Sequence, residues 1–274
     1  SDNSEKIPLE PLSGIVEDGY IRGAKGSLID LTTNTIIETF ITNFFGIYSI
    51  NTSIDSLPEY FKITFTGGVD ITTNKRNNKQ INSIIDKNDV INSNIKILVN
   101  NPITNILTKI IENKIATNTG FILNKSLFDD SKLIIRKAFG VNVNELSNDY
   151  IANNDILKAK IVNQINVITS TIANSFNING DENIVLDSLV NTIISQIKIT
   201  DSDFLLTNSE NIIKIINTVA IDNSSVVVNN IAINNISNFV SQVNTLIAET
   251  TGTFENIITS SVKLSIATEN LVSD

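Results

Sequence analysis

The period of the apolar residues changes near residue 75, and that change limits the folds open to the chain. Before it, β-branched and aromatic residues come in short runs: Ile15-Val16, Lys25 to Leu31, Thr35 to Phe40, Ile47 to Ile50 and Phe61 to Phe65. Turn-forming residues stand between them, at Asp18-Gly19, Thr33-Asn34, Gly46, Leu57-Pro58 and Gly67-Gly68. Tyr60, Lys62 and Thr64 alternate with Phe61, Ile63 and Phe65, the period of a strand with one buried face. Several short strands at this spacing predict a small β-sandwich over residues 13–72.

From about residue 96 the period is helical. Asn101-Pro102 reads as a cap with proline at the first helical position, followed by an apolar face of Ile103, Leu107, Ile110 and Ile111. A second helix spans Ser126 to Phe139 and stops at Gly140. In the third, Leu157, Ile161, Ile165, Ile168 and Ile172 make a core-facing stripe. Gly180-Asp181-Glu182 opens a fourth helix with Ile184, Leu186, Leu189, Val190 and Ile193. Ser209 opens a fifth, with Ile212, Ile213, Ile215 and Ile216. Ala232, Ile236, Phe239, Val240, Val243 and Ile247 line a sixth that Gly252 ends, and Thr253 to Leu271 is a seventh. Isoleucine has only middling helix propensity, so burial of these stripes must hold the helices. The expected class is α+β: an extension at 1–12, a sandwich at 13–72, a linker at 73–95 and a helical bundle at 96–274. Asn74 to Gln80, with cations and no interleaved aromatic ring, reads as the exposed part of that linker.

Composition removes whole classes of chemistry. The chain has no Cys and no His, so disulfides, thiolate metal sites, cysteine nucleophiles and imidazole bases are all absent. With 20 Lys+Arg against 29 Asp+Glu it carries a net charge of -9, which argues against nucleic acid as a partner. No apolar run is long enough for a transmembrane helix, and residues 1–12 lack the apolar core of a signal peptide. The 50 Ile and 41 Asn of 274 residues match the codon bias of an AT-rich genome. The lack of Met, Trp, Cys and His suits a protein outside the reducing cytosol, exposing few oxidisable groups.

Candidate chemical groups read mostly as structure. Hydrolysis without His or Cys needs paired carboxylates, a Ser-Lys pair or a carboxylate-held metal. The densest acids, Asp129-Asp130, Asp181-Glu182 and Asp201 with Asp203, lie at expected helix starts, where they favour the positive end of the dipole. No catalytic or cofactor-binding residue is therefore assigned, and Gly67-Gly68 lies in no phosphate-loop motif. Lys25, with Glu17 or Glu38 as acid, is a candidate for an internal isopeptide bond. Sequons at Asn51, Asn124, Asn223 and Asn235 arise readily by chance in an Asn-rich chain.

Gly14-Ile15-Val16-Glu17-Asp18-Gly19-Tyr20-Ile21-Arg22-Gly23-Ala24, followed by Phe45-Gly46-Ile47-Tyr48-Ser49-Ile50, resembles the opening of carboxypeptidase-regulatory-like (transthyretin-like) β-sandwich domains. Phe65-Thr66-Gly67-Gly68-Val69-Asp70-Ile71-Thr72-Thr73 is similar to a T-G-G-x-D-x-x-T segment of a module of large bacterial surface and adhesin-like proteins. Asn101-Pro102-Ile103-Thr104-Asn105-Ile106-Leu107 and Ala138-Phe139-Gly140-Val141 resemble the helical segments that follow it there. The resemblance covers roughly residues 13–175. It implies a sandwich followed by helices, and often an acidic calcium loop after the first hairpin. Here that loop is Asp30-Leu31-Thr32-Thr33-Asn34-Thr35, where only Asp30 and Asn34 offer side-chain oxygens, few for a calcium ion that takes 6–8. Asp18 and Asp70 could add oxygens elsewhere, although turn chemistry explains both.

These features point to a non-enzymatic extracellular or surface-exposed protein, structural or adhesive, with copies of itself or other surface proteins as partners and no cofactor other than calcium in view. Residues 1–12, carrying Ile7 and Leu9, could serve as an arm docking on a neighbour's sandwich edge. The same features fit a virion surface or fibre protein. A carbohydrate- or peptide-binding module would use the loops around Asp18 and Gly67-Gly68, but four Tyr and no Trp supply little stacking surface. A glycosidase-like enzyme would need two carboxylates converging in a cleft.

Overall fold

Ten short strands build the first part of the chain: β1 (Ser13–Val16), β2 (Ile21–Arg22), β3 (Lys25–Asp30), β4 (Thr35–Ile41), β5 (Ile47–Ser49), β6 (Tyr60–Thr66), β7 (Val69–Asp70), β8 (Lys75–Arg76), β9 (Ile81–Asp86) and β10 (Ile97–Asn100). The short helix α1 (Lys87–Asn92) follows β9. A computed structural model describes residues 11–93, 95, 97–117, 122–176, 178, 181–200 and 202–273, with side chains to 268. Contacts divide the chain into a β unit, Ser1–Asn77 with Ile81–Asn101, and a helical unit, Asn78–Gln80 with Pro102–Asp274.

In the β unit, one antiparallel sheet has the order β4-β3-β6-β9 and a second sheet the order β10-β1-β5. A small third sheet is β2-β7-β8. Phe61, Ile63 and Phe65 of β6 are fully buried, so the alternation read from sequence is the real inward face. They share one core with Leu28 of β3, Val16 of β1, Tyr48 of β5, Ile81 of β9 and Leu98 of β10. Both larger sheets thus cover a common apolar interior.

Residues 73–95 are not a linker. They contain β8, all of β9 and α1, and β9 pairs with β6 in the register Phe61↔Ile85 and Phe65↔Ile81. The alternation was hidden because β9 buries polar residues along with apolar ones: Asn82, Ser83 and Asp86 lie inside as well as Ile81 and Ile84. Asn82 accepts the Thr64 hydroxyl proton, and Asp86 caps α1 by accepting from Asn88 N at 2.9 Å. The helical part likewise begins at Pro102 and not at 96, because Ile97–Asn100 pairs in parallel with β1 (Ser13↔Ile97, Val16↔Asn100). A partner more than 80 positions away decides that strand, beyond the reach of any local pattern.

The helical unit has α2 (Pro102–Thr117), α3 (Lys125–Phe139), α4 (Ile156–Ser175), α5 (Glu182–Thr200), α6 (Ser209–Asp222), α7 (Asn230–Glu249) and α8 (Phe254–Ser273). These are the seven helices expected from the stripes. Asn124 Oδ1 accepts from Leu127 N at 2.9 Å to cap α3, and Gly140 ends it in a left-handed conformation, φ 68°. Helix α4 is buried almost all round and packs on α2, α5, α7 and α8. Ile161, Ile165, Ile168 and Ile172 of its stripe are buried, whereas Leu157 faces solvent. Gly252 does not end α7; Thr250 closes that helix, and Gly252 lies in the turn before α8.

Candidate interaction site

Two glycines make room for the aromatic layer behind the site. Gly14 on β1 pairs with Tyr48 on β5, and a Cβ there would lie 2.3 Å from Tyr48 Cζ. At Gly26 on β3 a Cβ would lie 2.4 Å from Phe40 and 2.5 Å from Phe65. The ring of Tyr48 stacks on Phe40 at 5.1 Å between centroids and packs against Phe65 at 4.8 Å. Its hydroxyl donates to Asn100 Oδ1 at 2.9 Å, while Asn100 Nδ2 donates to Ile63 O at 3.1 Å. Burial pushes the Tyr48 hydroxyl pKa up. Strands β1, β3, β5 and β10 are thereby locked behind β4.

Strand β4 is the end strand of its sheet and pairs only with β3 among the described strands. A bulge opposite Leu28/Ile29 leaves Ile37 outside the ladder. Ile36 and Ile41 are 61% and 64% exposed, an unusual state for isoleucine in a strand. Natural edge strands are commonly guarded by charge, by proline or by a covering element. Residues 31–54 hold a single charged side chain, Glu38. That carboxylate is already committed: it accepts from Asn51 N at 2.9 Å, Thr52 N at 2.8 Å and Thr52 Oγ1 at 2.6 Å. Burial alone would raise its pKa, but these three bonds outweigh that and hold it below the usual Glu value.

The connection from β4 to β5 extends the apolar edge. Phe44 and Phe45 are each 65% exposed and meet edge to face at 6.0 Å. The loop under them is well tied. Asn43 Oδ1 accepts from Phe45 N at 2.9 Å and Ile47 N at 3.0 Å, and Val16 N donates to Gly46 O at 2.9 Å. Gly46 has φ 78°, and a Cβ there would approach Val16 O and Ile21 N at 3.1 Å, so glycine suits the position on both counts. The Arg22 guanidinium lies 5.1 Å from the Phe44 ring centroid. The result is an ordered tip that presents two phenyl rings to solvent beside a strand edge that no described strand pairs. Sequence reading placed β4 as a strand and Phe45 in a motif, but missed the surface; the signal was the Phe44-Phe45 doublet in a charge-poor run.

The residues singled out from sequence do other work. Asp30 Oδ1 accepts from Thr32 N at 2.8 Å, and Asn34 has φ 53°, so the expected calcium loop is a tight turn. Asp70 Oδ1 accepts from Thr72 N at 2.8 Å beside Gly19, where a Cβ would come within 2.2 Å of it. Asp18 opens the turn that holds Gly19, between the bridged residues Glu17 and Tyr20. No group of three acidic ligands is assembled among the described residues. Gly67 and Gly68 have φ 69° and 83°, and a Cβ on Gly68 would lie 2.6 Å from Arg22 O. They form a turn and a close backbone contact.

Asp129 and Asp130 lie in the second turn of α3 and not at its start; Asp129 pairs with Lys125 at 3.2 Å. Asp181 accepts from Asn183 N at 3.0 Å before α5, as capping predicts, and Glu182 sits in its first turn. Asp203 is exposed, and Asp201 lies outside the described residues. Lys25 is exposed on the sheet face opposite Glu38, while Glu17 is fully buried, so the proposed isopeptide set is not assembled. Glu17 instead accepts from Asn101 Nδ2 at 3.0 Å. Residues 74–80 are only partly exposed, since Lys79 is buried.

An open cleft of about 940 Å³ lies between α2, α5 and α6, lined by Asn113, Asn191, Gln196, Lys198, Lys214 and Asp222 among others, with no aromatic ring in its wall. No described helix is long and apolar enough to cross a membrane. No family model, curated protein or solved structure matches the chain.

Proposed function

We propose that this chain is a non-enzymatic extracellular structural or adhesive protein whose transthyretin-like β-sandwich joins copies of itself through β4. The carrying observation is the edge strand β4, with exposed Ile36 and Ile41 and a single charge at Glu38, running into Phe44 and Phe45. Copies with a net charge of -9 repel one another over most of their surface. Residues 31–54 are one stretch where that repulsion is weak, because their one carboxylate is held by hydrogen bonds to Asn51 and Thr52. A second copy of this chain is thus the occupant the surface suits, through antiparallel pairing of β4 with β4.

A β4–β4 contact is isologous and closes a dimer, so a filament needs a second, different contact. Residues 1–12 supply it in this reading, docking Ile7 and Leu9 on a neighbour. Size-exclusion light scattering over a range of concentrations, with negative-stain microscopy, tests both contacts. Filaments or concentration-dependent oligomers are expected. The I36K/I41K variant and the F44S/F45S variant should each shift the chain toward monomer without changing its circular dichroism. A closed dimer alone would remove the filament and keep the β4 contact. A strict monomer at all concentrations would overturn the reading.

A further inference from the structure

We propose that Lys79 and Asn166 condense into an intramolecular isopeptide bond, with Glu182 carrying the proton. Lys79 is 8% exposed, and its Nζ donates to Asn166 Oδ1 on α4. A nitrogen hydrogen-bonded to a carboxamide oxygen lies within about 4 Å of the carbonyl carbon, so a small rotation of the deprotonated amine brings it to the ~3–3.5 Å of a near-attack conformer. Two further bonds bring Glu182 into the neighbourhood of this pair. Its Oε1 accepts from Thr169 Oγ1 at 2.9 Å, one helical turn from Asn166. Its neighbour Asn183 accepts through Oδ1 from Gln80 N at 2.9 Å, next to Lys79. Lys79-Gln80, Asn166 with Thr169, and Glu182-Asn183 therefore converge from three segments of the helical unit. Thr169 is fully buried there, and Asn166 and Glu182 are half-buried, so water has limited access.

The step balances without any outside reagent. The Glu182 carboxylate takes a proton from the Lys79 ammonium, and the freed lone pair on Nζ attacks Asn166 Cγ. The new C–N bond forms, the proton passes from the carboxyl group to Nδ2, and the Cγ–Nδ2 bond breaks with loss of ammonia. The amide proton that Nζ sheds leaves with the ammonia as ammonium. Nothing is oxidised or reduced. Two other lysines lack this combination. Lys158 Nζ donates to the backbone oxygen of Glu145, which carries no side-chain leaving nitrogen. Lys214 donates to Gln196 Oε1 at 2.9 Å, but on an exposed surface.

Intact mass spectrometry of the full chain, denatured after purification, tests the proposal. The expected mass is about 17 Da below the sequence mass, one ammonia lost. Proteolysis and tandem spectra should give a branched peptide joining Lys79 to Asn166, with none joining Lys214 to Gln196. Asn179-Gly180 can lose the same mass by succinimide formation, and the branched peptide separates the two. K79R and E182Q should run at full mass, whereas N166D should lose about 18 Da, because water then leaves. Wild-type chain at full mass, or a deficit that maps to Asn179, overturns the bond; this readout does not depend on whether any variant folds. A linked E182Q chain at the wild-type extent would overturn the role of Glu182.

Discussion

Replacing Gly14 by Ala should be among the most damaging small changes in the β unit. The added methyl would sit 2.3 Å from Tyr48 Cζ and 2.4 Å from its hydroxyl oxygen. The ring has nowhere to retreat. It stacks on Phe40 with an interplanar angle of 8°, meets Phe65 on another side, and is pinned through its hydroxyl to Asn100. Overpacking of a filled core costs about 1–3 kcal/mol, and a ring held on three sides places this case at the upper end. Tyr48→Ala should itself cost about 3–5 kcal/mol by opening a cavity. In the double variant the methyl enters that cavity, so the second substitution should cost nearly nothing and the pair should couple by about 2–3 kcal/mol. Urea unfolding followed by tyrosine fluorescence is suited to this cycle. The chain has no Trp, and Tyr20, Tyr48 and Tyr60 of its four tyrosines belong to the β unit. Gly14→Ala within about 0.5 kcal/mol of wild type, or strictly additive costs, would refute the argument that Tyr48 requires a glycine opposite it.

Other consequences follow from single contacts. Glu38 has its pKa lowered by folding, so the stability it contributes is full above its unfolded pKa and is lost as pH falls through the folded value. Glu38→Gln should therefore flatten the acid limb of β-unit stability below about pH 5, read as the urea midpoint against pH. Asn124→Ala removes the cap that accepts from Leu127 N, and should cost about 1 kcal/mol by thermal or urea unfolding. Asn208→Ala does the same to α6, where the side chain accepts from Glu210 N and Asn211 N, and a similar loss is expected. Gly140→Ala forces a side chain into φ 68° at the end of α3 and should cost about 1 kcal/mol, again by equilibrium unfolding.

Much of the helical unit was legible because its information is local. Apolar stripes recur every three or four residues, and Gly140 and Asn124 mark the ends of α3 in plain view. The stripes erred where a neighbour decided exposure: Leu157 continues the α4 stripe but stands in solvent, and buried Ser237 and Asn244 on α7 would never be read as core. Asn244 belongs inside because its Nδ2 donates to Leu206 O at 2.7 Å and its backbone oxygen accepts from Gln164 Nε2 at 3.1 Å. Strand β9 was misread for the same reason, with Asn82 and Ser83 buried beside Ile81 and Ile84.

Residue order alone set the class, a β part followed by seven helices, since the two apolar periods, 2.0 and 3.6, are properties of neighbouring residues. It also determined which chemistry is missing, because a chain without His or Cys cannot acquire their functions by folding. Long-range packing set where the β part ends, because β10 is a strand only in the presence of β1. It alone decided that β4 lies at an edge, since the residues of an edge strand and a central strand can be the same and only the order of pairing separates them. It also brought Lys79 against Asn166, and Glu182 against Thr169 one helical turn from Asn166, a convergence with no period and no motif, set by how α4 and α5 pack.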